Sequence, residues 1–304
     1  MCTFRSTLTG ELLRNHWLRL YGELWRGDER QVKTLTVPAV DALFHVVHSV
    51  QLQSWYDSPA GKQRYSAPKC FFCDKHDEYN QLITVCSFGH LVVYQCVKFC
   101  EPAHYLIAPE EHREQIAIPD VRLLEKLSAT AQLSVFANLR GSGASYPAHL
   151  HFQSLDVEFP ATRSERSRVV YAHNGVKLEI LDYPVLLLRF AADSDNGWEL
   201  AAKLMCRIAS PFNPLWWRGS IYIIPRTKSV PFNTAGNKFA AAEVFGRIYC
   251  RNRHFYDALD SETVLGALLD VCIPTGSPLA RRFMQELECL IAKVSHEIQN
   301  PQRG

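Results

Sequence analysis

The chain has 304 residues, of which 47% are hydrophobic and 21% charged, and its 33 basic and 31 acidic side chains leave a net charge of +2. That balance is ordinary for a folded protein and gives no electrostatic footprint for nucleic acid or a membrane surface, so any phosphate recognition has to be local. No apolar run approaches the roughly 18 residues that a bilayer span requires, and the first residues lack the layout of a signal peptide, so the expectation is a cytoplasmic chain.

In chain order, residues 8–27 repeat apolar side chains at helical spacing through Leu12, Leu13, Trp17, Leu20, Tyr21 and Leu24, which predicts an amphipathic helix ended by Gly27. A second helix is expected over 38–55. The runs Leu91–Phe99 and His104–Ala108 read as strands, and 119–138 as a helix carrying Val121, Leu124, Leu127, Ala131 and Val135 on one face. Further on, 176–190 should form strands, 198–210 a helix, and 212–225 a hairpin turned at Arg218-Gly219. Two helices, 261–271 and 277–297, finish the chain, the second with Leu279, Phe283, Leu287 and Ile291 on one stripe. Strand, strand, helix, turn and strand make an α+β arrangement on an antiparallel sheet, and the order recurs in the second half. The expected division is a helical extension over 1–65, a catalytic half over 66–165 and a second half over 166–304, the two halves packed as one unit.

The segment most suited to chemistry is Arg140-Gly-Ser-Gly-Ala-Ser-Tyr-Pro-Ala-His-Leu-His-Phe-Gln153. In an extended strand, alternate side chains share a face, so His149, His151 and Gln153 should project together. Gly141 and Gly143 allow a tight turn that brings bare backbone N–H groups towards an anion. A hydrogen-bonded structural histidine is the plain alternative, and this segment alone leaves both readings open.

Ten cysteines at irregular spacing fit thiols or metal ligands better than a disulfide framework. Only Cys70-Phe-Phe-Cys73 has ligand spacing, half of a tetrahedral zinc site. His104 and His149, each at the start of a strand, are the candidates to complete it, with His76 and His112 as alternatives. Such a site has no open position, so the zinc would be structural, pinning a loop to the strand that carries His151. Cys86, Cys96, Cys100, Cys206, Cys250, Cys272 and Cys289 read as buried, inert thiols.

Together, His104-Tyr-Leu-Ile-Ala-Pro-Glu-Glu-His112, Asn138, the small-residue turn and His149-Leu-His-Phe-Gln153 resemble the histidine-triad (HIT) superfamily, in its transferase branch with H-x-H-x-Q. That branch holds the galactose-1-phosphate uridylyltransferases, the diadenosine tetraphosphate phosphorylases and the GDP-hexose phosphorylases. The cysteine pair with His104 and His149 is similar to the uridylyltransferase zinc site. Gly175–Val185, Pro211-Phe-Asn213, Ile221–Pro225 and Glu243–Gly246 resemble the second half of the GDP-hexose phosphorylases. The likeness spans roughly 66–250. It departs from the uridylyltransferases at Ser145-Tyr-Pro-Ala-His149, where one extra residue separates serine from histidine.

The resemblance implies a HIT-like fold in two halves and His151 as a nucleophile that holds a nucleotide as nucleotidyl-histidine, its tautomer set by a backbone carbonyl near His149. Gln153 can donate a hydrogen bond to phosphate but cannot protonate a poor leaving group, which points to transfer or phosphorolysis with a sugar phosphate or nucleotide leaving. Asn138, Gly141, Ser142, Gly143 and Ser145 are expected to hold phosphate oxygens, and Arg226 and Lys228 an outer phosphate or the acceptor. The implied substrates are a nucleoside-diphosphate sugar or dinucleoside polyphosphate, with phosphate or sugar phosphate as acceptor, and a homodimer is the expected assembly. A hydrolase releasing a nucleoside monophosphate and a non-catalytic nucleotide-binding protein are the competing readings.

Overall fold

The structure is a computed structural model that describes residues 30–37, 42–49, 70, 72–73, 83–95, 104–114, 120–143, 148–173, 175–231, 239–250 and 252–299. The expected helix over 8–27 and Ser145 lie outside these residues. Two strands come first, β1 (Arg30–Val37) and β2 (Ala42–Ser49). Next follow β3 (Ile83–Phe88), β4 (Leu91–Gln95), β5 (Tyr105–Pro109), α1 (Val121–Ala131), β6 (Ser134–Phe136) and β7 (Phe152–Leu155). The same series then recurs as β8 (Ser167–His173), β9 (Val176–Leu181), β10 (Leu187–Ala192), α2 (Asp195–Arg207), β11 (Phe212–Trp217) and β12 (Ser220–Pro225). The described chain closes with α3 (Ala241–Val244), β13 (Arg247–Cys250), α4 (Arg253–Ala258), α5 (Ser261–Val271) and α6 (Pro278–Gln299).

Ten strands form one antiparallel sheet in the order β3-β4-β5-β7-β6-β11-β12-β10-β9-β8. Each half thus contributes five strands in mirrored order, and the halves meet where Phe136 faces Leu215 and Val135 faces Trp216. The expected α+β sheet of two related halves is the architecture observed. The halves differ at one connection. Trp217 and Ser220 close a two-residue turn through Arg218 (φ 48°) and Gly219 (φ 72°), whereas β6 and β7 are separated by residues 137–151. Only the first half has room there for the two histidines.

Strand alternation divides the core. One sheet face carries Phe152, Val135, Trp216, Ile221, Phe190 and Leu178, and it is covered by α1, α2 and α6 through Leu124, Leu127, Trp198, Leu204, Phe283 and Leu287. The other face carries Phe136, Leu215, Tyr222 and Leu187, packed against Phe44 and Val46 of β2, Phe245 and the α5 residues Val264 and Leu268. At the first half, this face also carries Leu106 and Ala108, which pack with Phe72, Val92 and Tyr94.

Several expectations change. The helix predicted over 38–55 is overturned by β2, which runs antiparallel to β1 and parallel to β13. Its Ala42, Phe44 and Val46 alternate into the core, and β-branched and aromatic side chains favour that pleated surface. The helix over 119–138 stops at Ala131 because Gln132 turns left-handed at φ 53°, and Val135 belongs to β6. Leu279 is exposed on α6, while Phe283, Leu287 and Ile291 are buried as expected. Cys206 and Cys289 are exposed on helices, Cys86 is partly buried, and Cys250 and Cys272 are the buried thiols. Cys96 and Cys100 lie outside the described residues. Among the described residues, no helix is long and apolar enough to cross a membrane.

Candidate active site and metal cluster

His149 and His151 lie just before β7, His149 in a bend and not at the start of a strand as expected, at the end of the sheet where β5 finishes. The antiparallel register pairs Tyr105 with Ser154, Leu106 with Gln153 and Ile107 with Phe152. Paired residues share a face, so Gln153 projects with Leu106, on the side where Phe72 packs. The Phe72 ring lies 5.0 Å from the His149 ring and 5.2 Å from that of His151, centroid to centroid, which places both imidazoles on that same side.

The His151 Nδ1 lies 2.9 Å from the His149 carbonyl oxygen. A carbonyl can only accept, so Nδ1 carries the proton and Nε2 keeps its lone pair. The carbonyl expected to set the tautomer is therefore in place. His151 is buried.

His149 turns its Nδ1 to the cysteine pair, 3.2 Å from Cys70 Sγ and 3.6 Å from Cys73 Sγ. Its Nε2 donates to the Pro109 carbonyl at 3.3 Å. His112 Nδ1 completes the group, 3.3 Å from Cys73 Sγ. The ligand atoms of Cys70, Cys73, His112 and His149 all lie within 4.8 Å of one another. Two sulfurs and two imidazole nitrogens at this spacing fit a tetrahedral metal, and the Pro109 carbonyl fixes the His149 ring as outer-shell partners do. Burial lowers the His149 pKa, the bond to Pro109 opposes this, and neighbouring His112 lowers it further. The net effect favours the neutral imidazole, the form that binds metal.

His104 is not in the cluster. In an antiparallel pair, the start of one strand lies beside the end of the other. His104 precedes β5 at the end where β7 finishes, whereas His112 follows β5 at the end from which β7 starts. The alternative ligand His112 thus takes the place expected of His104.

The glycine turn also differs from expectation. Gly141 and Gly143 have φ of 81° and 93°, and a side chain on Gly143 would stand 2.8 Å from the Ala240 Cα. Glycine is required here by backbone conformation and by close packing of the second half. The Ser142 amide and hydroxyl both bond to the Leu139 carbonyl at 2.9 Å, and the Gly143 amide donates to Ser229 Oγ at 3.3 Å. These groups, expected to face an anion, are engaged within the protein.

Arg226 is a correction of the same kind. It is only 2% exposed, and its guanidinium donates to Asn213 Oδ1 (2.6 Å) and to the Val271 (3.1 Å), Phe239 (2.6 Å) and Lys228 (2.9 Å) carbonyls. Burial lowers its pKa. An arginine consumed by neutral acceptors in the interior is an organiser, not an outer-phosphate ligand. Lys228 pairs with Asp270 at 2.6 Å on the surface. Asn138 is buried one bond further along, its Oδ1 accepting from the Ala241 amide at 2.6 Å and from Asn213 Nδ2 at 3.3 Å. Sequence reasoning did not single out Phe72, nor Asn213 beyond its place in a matching motif. The sequence signal for Asn213 was an asparagine inside an apolar strand, where a buried amide needs partners.

Residues 29–156 match a family model described as a domain of unknown function (DUF4922). No curated relative matches the chain. Among solved structures, yeast Ap4A phosphorylase in complex with AMP superposes with a TM-score of 0.63 and 15% identity, covering 88% of this chain and 98% of that one. The same yeast enzyme in complex with Ap4A gives 0.61 and 15%, covering 86% and 97%. The chain has the two-halved HIT-like fold of that phosphorylase, in keeping with the resemblance read from its sequence.

Proposed function

We propose that this protein is a nucleotidyltransferase of the phosphorylase type, moving a nucleoside monophosphate group from a dinucleoside polyphosphate to inorganic phosphate through His151. The observation that carries this reading is the His151 Nδ1 held 2.9 Å from the His149 carbonyl, which leaves Nε2 as the ring's basic nitrogen. The choice of donor is supported by structural neighbours crystallised with AMP and with Ap4A. A nucleoside-diphosphate sugar, with a sugar phosphate as acceptor, is the second donor class that H-x-H-x-Q permits.

In the proposed reaction, Nε2 attacks the α-phosphorus, and the bond from that phosphorus to its bridging oxygen breaks. The rest of the donor leaves as a nucleoside polyphosphate anion. Gln153, on the same face, donates a hydrogen bond to the phosphate, which suits a leaving group already stable as an anion. A phosphate oxygen then attacks the phosphorus, the P–N bond breaks, and a nucleoside diphosphate is released. Dividing the displacement into two in this way predicts ping-pong kinetics.

Zinc is the proposed metal, held by Cys70, Cys73, His112 and His149 in a closed site. Its role is structural: it fixes His149, and through the His149 backbone the ring of His151. The protein works as a cytoplasmic homodimer in this reading.

The test is intact mass after brief mixing with Ap4A and with a panel of nucleoside-diphosphate sugars, for wild type and His151→Ala. A nucleotidyl-sized adduct seen only in the wild type supports the reading and identifies the base. Nucleoside monophosphate formed without an adduct and without added phosphate would identify a hydrolase. Binding with neither adduct nor product would identify a nucleotide-binding protein.

A further inference from the structure

We propose that Phe72 is a positioning residue that sets the tilt of the His151 ring and so aims its Nε2 at the phosphorus. This role rests on the reaction proposed above and gives the cysteine loop a second hold on His151, separate from the His149 carbonyl.

One hydrogen bond does not aim a ring. The His149 carbonyl holds His151 at Nδ1, 2.9 Å away, and decides which nitrogen carries the proton. The imidazole can still rock about that contact, and Nε2, on the far side of the ring, is carried with it. A displacement of about 1 Å at a reacting atom can cost on the order of 100-fold in rate, so Nε2 needs a surface set against the ring itself.

Phe72 provides that surface. Its ring centroid lies 5.2 Å from that of His151 with 32° between the planes, and 5.0 Å from that of His149 with 44° between them. These are the separations of tilted rings in contact. The phenyl ring is buried, and it packs with Val92 and Tyr94 of β4 and with Leu106 and Ala108 of β5, the Tyr94 ring lying 6.0 Å from it. Tyr94 pairs with Leu106, and Leu106 with Gln153, so Phe72 stands on the sheet face that carries Gln153. Its backbone is fixed as well. Phe72 lies between Cys70 and Cys73, whose backbones close a turn through the Cys73 amide and the Cys70 carbonyl at 3.2 Å, and both sulfurs belong to the cysteine–histidine cluster. A ring anchored at its root by the cluster and along its sides by two strands cannot follow His151, so His151 conforms to it.

The test compares the wild type with Phe72→Leu and Phe72→Met, which keep an apolar side chain among Tyr94, Leu106 and Ala108 but remove the flat face. Three quantities are read in each: the single-turnover rate of adduct formation from Ap4A, the affinity for AMP, and the long-range 15N signals of His151, assigned by comparison with His151→Ala. Thermal unfolding checks the fold, and either variant decides alone if the other does not fold. The expected result is an adduct rate lowered on the order of 10–100-fold. Affinity for AMP should stay within about twofold of the wild type, and the Nδ1–H tautomer should be retained, since the loss lies in the reacting geometry and not in binding. Folded variants with the wild-type adduct rate overturn the inference and leave the proposed reaction standing. A loss of AMP affinity as large as the loss of rate also overturns it, making Phe72 a nucleotide contact, and loss of the Nδ1–H tautomer does so by placing the damage at His149. Failure of both variants to fold would make Phe72 a core residue and overturn the positioning role. A wild type that forms no adduct overturns the proposed reaction and this role together.

Discussion

His149 joins the cysteine–histidine cluster to His151, the proposed nucleophile, through two different atoms: its Nδ1 lies 3.2 Å from Cys70 Sγ, and its carbonyl oxygen lies 2.9 Å from His151 Nδ1. One residue thus transmits the position of a loop to the tautomer of a ring two residues away. Metal removal should therefore be felt in catalysis although no ligand position is open to substrate. Prolonged chelation is expected to lower the unfolding temperature and to slow formation of the His151 adduct on the order of 10–100-fold, as loss of a ligand-orienting contact does elsewhere. Added zinc should restore both. A chelated, metal-free protein with an unchanged adduct rate would show that the cluster does not hold His151.

Gln153 offers a second test, since it shares a face with His151 and cannot release a proton. Gln153→Ala should slow transfer on the order of 100-fold, the usual consequence of losing one donor to developing charge. Gln153→His adds a group that can protonate a leaving group. Products separated by chromatography should then shift from nucleoside diphosphate towards nucleoside monophosphate. An unchanged product ratio would mean that residue 153 does not face the leaving group.

The parts of this protein legible in its sequence are those set by local rules. The 212–225 hairpin and its Arg218-Gly219 turn, the helix over 261–271 and the doubled element order all followed from periodicity and turn chemistry. What depends on which end of a strand meets which was not legible. His104 and His112 both flank β5, and only the antiparallel register with β7 decides that His112 reaches the cysteines. Arg226 reads in the sequence as an outer-phosphate or acceptor ligand because a cation near a phosphate motif invites that reading. Its burial follows from carbonyls supplied by Val271, Phe239 and Lys228, brought together only by the tertiary fold. The helix expected over 38–55 failed for a similar reason: β2 is stabilised by β13, about 200 residues away in sequence, and such pairing leaves no local signature.

The thiols should sort by environment. Burial pushes the Cys250 and Cys272 pKa values up to about 12 and that of Cys86 to about 11, and a protonated thiol is a poor nucleophile. Cys206 and Cys289 are exposed. Peptide mapping after a brief pulse of alkylating reagent should find Cys206 and Cys289 modified and Cys250 and Cys272 intact. Cys73, also exposed, should become reactive only when the metal is removed. Rapid modification of Cys272 in the folded protein would contradict its complete burial beside Arg226.

Glu179 provides a pH test that is independent of the active site. Burial raises its pKa, but hydrogen bonds from Lys177, Ser167 and Arg189, with the Arg189 charge, outweigh this and leave it below the ordinary value of 4.5. Its carboxylate lies 2.7 Å from Arg189 and 2.9 Å from Lys177. Because the folded-state pKa is depressed, this stabilisation is fully present above the unfolded value and is lost as the pH falls through the folded one. Glu179→Gln should accordingly lower the unfolding temperature at pH 7 by about 3 °C. The gap to the wild type should close as the solution is acidified below 4.5, because the wild-type carboxyl then becomes neutral as well. A gap that is constant with pH would assign the effect of the substitution to packing, and one that widens in acid would reverse the sign of the shift.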